Sequence, residues 1–265
     1  MTLAGKAPNS PIIGIIGGMG PYAGLDLHKK ILDLVKAERD QDYPSVVHLA
    51  LPSCVGDRTQ FLLDGKGENP AVSIFRMVEM LEAMDTRVAA VACNTAHAPE
   101  IFDPVLEMIR KKKLRLKLLH MVDEVVRFVR EDVRSLHRIG ILATMGVYRS
   151  RLYDQFMVQA GLEPIVLSPE ENQNWVHRAI YDKEFGLKIK NSPPAPASGL
   201  LLKKAILKLS HMGAEAVILG CTEIPLGVSA LSECGVPLID PTLVMARALV
   251  SKFSNENITC LKHVD

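Results

Sequence analysis

The sequence contains an internal duplication, which constrains the fold more than any other feature. GIIGGMG begins at Gly14, and GILATMG begins at Gly140, 126 positions later. RVAAVACNT carries Cys93, and AEAVILGCT carries Cys221, 128 positions later. Because two independent pairs of stretches give nearly the same offset, we interpret the chain as two copies of one unit of about 125 residues.

Short apolar runs alternate with longer segments of helical periodicity in both halves. PIIGII, SVVHLAL and RVAAVA occur in the first half, and RIGILA, AVILG and VPLI occur in the second. Strands that are apolar on both faces and are followed by helices indicate parallel sheets covered on both sides. The sequence therefore predicts an α/β fold with two pseudo-symmetric domains, each a parallel sheet flanked by helices, and an active site in the cleft between them.

The domain boundaries are expected near the middle and the end of the chain. We predict a first domain of residues 1–118 plus 238–265 and a second domain of residues 119–237, with the main linker at 116–122. A helix is expected over 147–159. The proline-rich stretch SPPAPASG, around Pro193 to Gly199, predicts a surface loop without regular helix.

Composition and cysteine usage exclude several classes of protein. The 265 residues carry a net charge of +1, with 48% hydrophobic and 23% charged residues, which is typical of a globular protein and gives no strong field for holding nucleic acid or a membrane. The start of the chain has no signal-peptide pattern, and no stretch approaches the roughly 20 apolar residues of a membrane span. Five dispersed cysteines without a CxxC pair predict neither disulfides nor a zinc site. We expect a cytoplasmic protein with free thiols.

Two cysteines occupy equivalent positions, each directly after a predicted strand. Ligands of parallel α/β sheets bind beyond the carboxyl ends of the strands, so Cys93 and Cys221 are expected to line one cleft. Inverting an α-carbon requires a base on one face and an acid on the other, and a thiolate and a thiol supply this pair without a cofactor. Asn94, Thr95 and Thr222 are placed to hydrogen-bond a substrate carboxylate.

The alternative interpretation is that these cysteines only fill space. A free cysteine is usually a small buried hydrophobe. A packing cysteine has no reason, however, to recur at the same strand end in both halves with a threonine nearby. Cys54, Cys234 and Cys260 lack this setting and are interpreted as structural or incidental.

Three motifs resemble those of a known family. GIIGGMGP (14–21), ACNTAH (92–97) and GCTEIPL (220–226) are similar to the signatures of the cofactor-independent aspartate/glutamate racemase superfamily, in particular its aspartate racemase branch. The resemblance spans nearly the whole chain. It implies a pseudo-symmetric two-domain fold, a homodimer, no cofactor, and Cys93 and Cys221 as the acid and base thiols. Glutamate racemases usually carry histidine after the second Cys-Thr, where this chain has Glu223, which we expect to be a substrate-binding residue.

The resemblance also suggests residues that bind the substrate. SCVGDRTQ (53–60) resembles the family's Asp-Arg-Thr loop, in which the Arg58 guanidinium would contact a side-chain carboxylate and Asp57 would orient it. A solvated ion pair is the alternative. A substrate-side lysine expected after the IY pair is replaced by Phe185, which leaves Lys183 or Lys188 as displaced candidates.

Further residues complete the predicted pocket or are set aside. Val147 stands where the family commonly has threonine, and Thr144 is a candidate to line the cleft instead. Met19 and Gly20 are expected to form one wall of the pocket rather than a nucleotide site, because GGMG lacks the full GxGxxG pattern. His97, four residues after Cys93, is better interpreted as a capping or packing residue than as a metal ligand.

We therefore expect an amino-acid racemase that acts on aspartate, with a small amino acid as its substrate and neither nucleic acid nor membrane as a partner. A broad-specificity racemase, a glutamate racemase, and another isomerase or a decarboxylase of the superfamily are the enzymatic alternatives. The alternative of another class is a non-catalytic protein that binds a small acid.

Overall fold

The computed structural model describes residues 12–190, 192–228 and 234–252, so Cys260 lies outside the described residues. In chain order the first half contains β1 (Ile12–Gly17), α1 (Pro21–Asp33), β2 (Val46–Ala50), α2 (Arg58–Asp64), α3 (Pro70–Ala83), β3 (Thr86–Val91), α4 (Pro99–Lys111), β4 (Lys117–Leu119) and α5 (Met121–Asp132). The second half contains β5 (Arg138–Ala143), α6 (Met145–Ser150), α7 (Leu152–Gln159), β6 (Glu163–Ile165), α8 (Pro169–Glu171), a π-helical turn (Asn172–His177), α9 (Arg178–Tyr181), α10 (Pro196–His211), β7 (Ala216–Gly220), α11 (Ile224–Val228), β8 (Leu238–Ile239) and α12 (Pro241–Ser251).

The strands form two four-stranded sheets with the same topology. Their orders are β2-β1-β3-β4 and β6-β5-β7-β8, and every neighbouring pair is parallel. The central pairs have equivalent registers, with Ile15 opposite Ala90 and Ile141 opposite Ile218. The predicted α/β fold with two parallel sheets flanked by helices is confirmed.

This strand order determines where a ligand can bind in each sheet. From β1 the chain crosses first to one neighbour, β2, and then to the other, β3, and the same reversal occurs around β5. A crevice opens outside the carboxyl ends of the strands where the winding direction reverses. The turns after β1 and β3 lie at this point in one sheet, and the turns after β5 and β7 lie there in the other.

The central strands form because they are apolar on both faces. All six residues of β1 and all five of β7 are buried. Glycine allows helices to pack closely on both sheets, because a Cβ at Gly14 would lie 2.8 Å from Leu81 of α3 and one at Gly140 would lie 3.2 Å from Leu209 of α10. The duplicated glycines therefore have the same packing role in both copies.

The described chain divides into two compact units. Unit 1 contains the described residues up to Asp57 together with 67–121 and 242–252, and unit 2 contains 58–66 and 122–241 without the undescribed positions. The predicted division placed 58–66 in the first domain, but α2 packs against α6 of unit 2. It also placed 119–121 in the second domain, whereas these residues belong to unit 1. It placed 238–241 in the first domain, whereas they belong to unit 2, in which β8 pairs with β7.

Two local predictions were wrong. The helix expected over 147–159 is interrupted at Arg151, which adopts the left-handed conformation (φ 50°, ψ 35°) between α6 and α7. The loop expected at 193–199 ends early, because α10 begins at Pro196, where a proline in the first turn needs no hydrogen-bond donor. In the part of the chain that the structure describes, we find no helix of the length and apolarity that crossing a bilayer demands.

Candidate functional site

In unit 1, the Cys93 turn joins β3 to α4. Cys93 has extended backbone and is 5% exposed, and the residues that follow it form one buried 3-10 turn, Asn94–His97. Asn94 and Thr95 are 1% and 6% exposed. The polar groups predicted around the first thiol are therefore concentrated at the carboxyl end of β3.

The buried His97 side chain forms a hydrogen bond to the backbone of this turn in unit 1. Its Nδ1 lies 2.8 Å from the Cys93 carbonyl oxygen, and since a carbonyl can only accept, Nδ1 carries the proton. The ring stacks on Phe102, and His120 Nε2 lies 3.2 Å from the His97 carbonyl oxygen. Burial, together with neighbouring His120, lowers the pKa of His97 to about 3, so the imidazole is neutral. The described residues contain no group of three or more His, Cys, Asp or Glu side chains arranged for a metal ion.

The turn after β1, which the sequence predicts to form one wall of a pocket, belongs to the same unit. Gly18 has a φ of +86°, and a Cβ there would lie 2.9 Å from the backbone nitrogens of Leu51 and Pro52. Met19 is 1% exposed, and Gly20 precedes the first residue of α1. Only glycine accommodates both the backbone angle and the close approach at position 18.

In unit 2, the Cys221 turn joins β7 to α11 and carries a hydrogen-bonded cluster. Cys221, Thr222 and Glu223 are 5%, 1% and 3% exposed. The Cys221 Sγ donates to Glu223 Oε2 at 3.0 Å, and the Thr222 hydroxyl lies 3.4 Å from the same oxygen. One carboxylate oxygen is therefore shared by the thiol and the hydroxyl.

Lys188 contacts the other oxygen of this carboxylate. Its Nζ lies 2.8 Å from Glu223 Oε1 and 5.3 Å from the centre of the Tyr181 ring. Lys183, the other lysine considered from the sequence, is exposed. Of the two candidates, Lys188 is the one beside Cys221.

Charges in this cluster fix the protonation of its members. Burial opposes ionisation of Glu223, but Lys188 and the hydrogen bonds from Cys221 and Lys188 outweigh it and lower the pKa of Glu223. Burial alone would lower the pKa of Lys188, and the Glu223 charge reverses this and raises it. Burial first, and then the Glu223 charge, raise the pKa of Cys221 well above its ordinary value. Cys221 is therefore a neutral thiol beside a carboxylate and an ammonium group.

A second group of residues in unit 2 links α2 to this cluster. Arg58 is 7% exposed, and its charge acts on both Lys188 and Glu223. Thr59 Oγ1 lies 3.5 Å from Thr144 Oγ1, and the Tyr181 hydroxyl donates to Thr59 Oγ1 at 3.1 Å. The structure thus brings Arg58 and Thr144 into the surroundings of Cys221, whereas Asp57 belongs to unit 1.

Thr59 and Tyr181 were not identified from the sequence as site residues. Both lie next to sequence features that were considered. Thr59 follows the predicted site residue Arg58, and Tyr181 belongs to the IY pair after which a substrate-side lysine was expected. Sequence patterns could not reveal the bond between them, since it joins positions 122 residues apart. Val147 is 2% exposed and lies in α6, one turn from Thr144.

Comparison with known proteins identifies the family and the fold. A family model described as Asp/Glu/Hydantoin racemase matches residues 16–249. The aspartate racemase of Picrophilus torridus superposes with a TM-score of 0.74 at 23% identity, over 91% of this chain and 93% of that one. An aspartate racemase homologue from Pyrococcus horikoshii OT3 gives 0.65 at 23% identity, over 90% and 97%. A glutamate racemase isoform from Bacillus anthracis gives 0.60 at 17% identity, over 92% and 82%. At these identities the structures show a common fold.

Proposed function

The chain belongs to the Asp/Glu/Hydantoin racemase family, and we propose that it interconverts L- and D-aspartate with two thiols and no cofactor. Membership of a racemase family indicates an isomerase. In the proposed reaction one of Cys93 and Cys221, as a thiolate, removes the α-proton. The other, as a thiol, delivers a proton to the opposite face, and the two exchange roles in the reverse direction.

The observation that carries this proposal is the equivalence of the two cysteines. Each follows the third strand of its unit, at the point where the winding direction of the sheet reverses, and each is 5% exposed. Each is also followed by buried polar residues, which a cysteine that only fills space does not need. These features support opposed acid and base groups acting on one substrate carbon.

The Cys221 cluster supports a specific starting state for the proposed reaction. The raised pKa of Cys221 favours its thiol form, so we propose that Cys221 is the proton donor at the start of the reaction. Its hydrogen bond to Glu223 keeps the thiol oriented, and the Lys188 charge favours the thiolate that forms after the proton has been delivered. Asn94, Thr95 and Thr222 are proposed to hold the α-carboxylate and the charge that develops on it.

The preference for aspartate is proposed from the cations of unit 2. Arg58 is buried, and a guanidinium binds a carboxylate with two parallel hydrogen bonds. Glutamate racemases have the same fold, so a glutamate or broad-specificity racemase is the alternative. Loss of optical rotation across a panel of acidic and neutral L-amino acids distinguishes these possibilities.

Alanine substitution of each thiol tests the proposed mechanism. Cys93→Ala and Cys221→Ala should each lower racemisation by several orders of magnitude in both directions, while halide elimination from a substrate analogue survives for one enantiomer. Cys234→Ala, a buried cysteine of unit 2, is the matched control and should retain activity. Normal racemisation by both single variants would refute the two-thiol mechanism.

A non-catalytic binding protein predicts a different result in the same experiments. Such a protein would bind aspartate tightly without exchanging its α-hydrogen for solvent deuterium. Saturable binding of aspartate to the wild-type protein with no α-deuterium after prolonged incubation would establish that alternative.

A further inference from the structure

Unit 2 contains a cavity that the proposed reaction does not use. It lies at the corner between α6 and α7, beside β5, and has a volume of about 190 Å³. Ile141, Val147 and Val166 form an aliphatic wall, and Arg151 and Asp154 add opposite charges. Apolar cavities of about 150 Å³ admit benzene, and pockets for drug-sized ligands start near 300 Å³. This volume therefore suits a ligand somewhat larger than benzene.

The charged residues of the cavity form an ion pair that can make further hydrogen bonds to a ligand. Arg151 Nε donates to Asp154 Oδ2 at 2.9 Å, and the side chains are 72% and 16% exposed. A guanidinium has five N–H donors, and a carboxylate accepts up to about four hydrogen bonds. Because the pair has no net charge, it matches a ligand that carries one positive and one negative group.

The backbone at Arg151 also indicates more than a surface ion pair. Its left-handed conformation costs a residue other than glycine or asparagine roughly 1–2 kcal/mol. Glycine or asparagine is the usual occupant of this conformation at the end of a helix. Strained positions of this kind concentrate at ligand-binding sites. Among the described residues, Asp85 (φ 62°) and Lys113 (φ 52°) also have a positive φ, and Arg151 is the one of these three that lines the cavity.

We propose that this cavity binds a small zwitterionic amino acid with an aliphatic side chain, such as valine. Its carboxylate contacts Arg151, its ammonium group contacts Asp154, and its side chain packs between Ile141, Val147 and Val166. A ligand with only one charge leaves one member of the ion pair unmatched and binds more weakly. The site does not depend on the racemase reaction.

This site must be distinguished from the one around Cys221, because the two are close. Tyr153 is completely buried, lines the cavity and packs against the strand that ends before Cys221, since a Cβ at Gly220 would lie 3.2 Å from the Tyr153 ring. Valine binding should therefore be measured with and without saturating aspartate. We expect the two ligands to bind at the same time.

Isothermal titration of the full chain tests the proposal. L-valine should bind with a Kd of about 1 mM or tighter, and isovalerate and isobutylamine, which each lack one charge, should bind at least about tenfold more weakly. Asp154→Asn, Arg151→Asn and Val166→Phe should each weaken valine binding at least about tenfold. Asp42→Asn, in an Arg39–Asp42 pair of the same 2.9 Å distance and spacing, should leave it unchanged.

The three variants act on the ammonium contact, the carboxylate contact and the cavity volume, so misfolding of one leaves two tests in place. Arg151→Asn keeps a residue that tolerates the left-handed backbone. The proposal is overturned if valine does not bind up to about 10 mM, or if correctly folded variants bind it as the wild type does. Displacement of valine by aspartate without an effect of Val166→Phe also overturns it, because the valine would then occupy the Cys221 site.

Discussion

Replacing Lys188 by methionine should destabilise the protein by about 3 kcal/mol near neutral pH. Lys188 and Glu223 are 20% and 3% exposed and 2.8 Å apart, and removing one partner of a buried ion pair costs about 3–5 kcal/mol. The nearby Arg58 charge and the hydrogen bond from Cys221 still stabilise the Glu223 carboxylate, so we expect a cost at the lower end of this range. If the 265-residue chain unfolds as a whole, it should lose about 2–4 °C in Tm per kcal/mol, or about 6–12 °C altogether.

The pH dependence of this effect identifies its cause. In the wild type, the lowered pKa of Glu223 gives stability that is fully present above the unfolded pKa of about 4.3 and is lost as the pH falls through the folded pKa. In Lys188→Met, burial is less opposed and the pKa of Glu223 should rise. Acidification then protonates the unpaired carboxyl group, so the difference between the two proteins should shrink to below about 1 kcal/mol near pH 4.5.

Urea unfolding of single and double variants measures the coupling. Lys188→Met/Glu223→Gln should recover most of the lost free energy of unfolding, because no unpaired buried charge remains. Lys29→Met, in an exposed pair with Asp33, is the control and should change stability by less than about 1 kcal/mol. A loss below about 1 kcal/mol for Lys188→Met at neutral pH, or a double variant no more stable than the single one, would refute this reasoning.

Three further predictions concern the turns and the proposed substrate contact. Gly18→Ala should lower the free energy of unfolding, measured in urea, by about 1–3 kcal/mol, because φ at Gly18 is +86° and backbone atoms would lie 2.9 Å from the new Cβ. Gly56→Ala is the control and should change it little, because no atom lies within 4 Å of the new Cβ. Equal effects of the two substitutions would contradict backbone strain at Gly18. His97 has a folded pKa of about 3 and an unfolded pKa of about 6.5, so neutral His97 costs the fold about 2 kcal/mol of stability between about pH 7 and 5. In His97→Asn that part of the acid sensitivity should be absent from urea unfolding curves, and an unchanged pH slope would contradict the assignment. Arg58→Ala should raise the KM for aspartate at least about tenfold and the KM for a small neutral amino acid far less, and equal effects on both in steady-state kinetics would count against a carboxylate contact.

The fold could be predicted because its determinants are local and repeated. Strands that are apolar on both faces are typical of parallel sheets covered by helices on both sides, so IIGIIG and AVILG indicated parallel sheets without any long-range information. The duplication then predicted that both sheets share one topology. The break at Arg151 could not be predicted, because neither glycine nor proline marks it and arginine is a strong helix former.

The candidate site was predictable at the strand ends and not beyond them. The positions of Cys93 and Cys221 follow from parallel topology alone, since the carboxyl ends of the central strands meet at one edge of a sheet. The choice between Lys183 and Lys188 depends on the turn after α9, where Lys188 N bonds to the Ile180 carbonyl oxygen at 3.1 Å and the side chain is turned to Glu223. Spacing in the sequence does not specify such a turn.

The central claim, two thiols acting on opposite faces of one carbon, is tested most directly by the fate of the α-hydrogen in the first turnovers. L-aspartate is incubated with the wild-type protein in deuterated water, and at low conversion the enantiomers are separated and their α-deuterium is measured. Two thiols predict D-aspartate that carries solvent deuterium while the remaining L-aspartate keeps its original hydrogen. D-aspartate that retains the original hydrogen, or L-aspartate that exchanges without inversion, would contradict the claim.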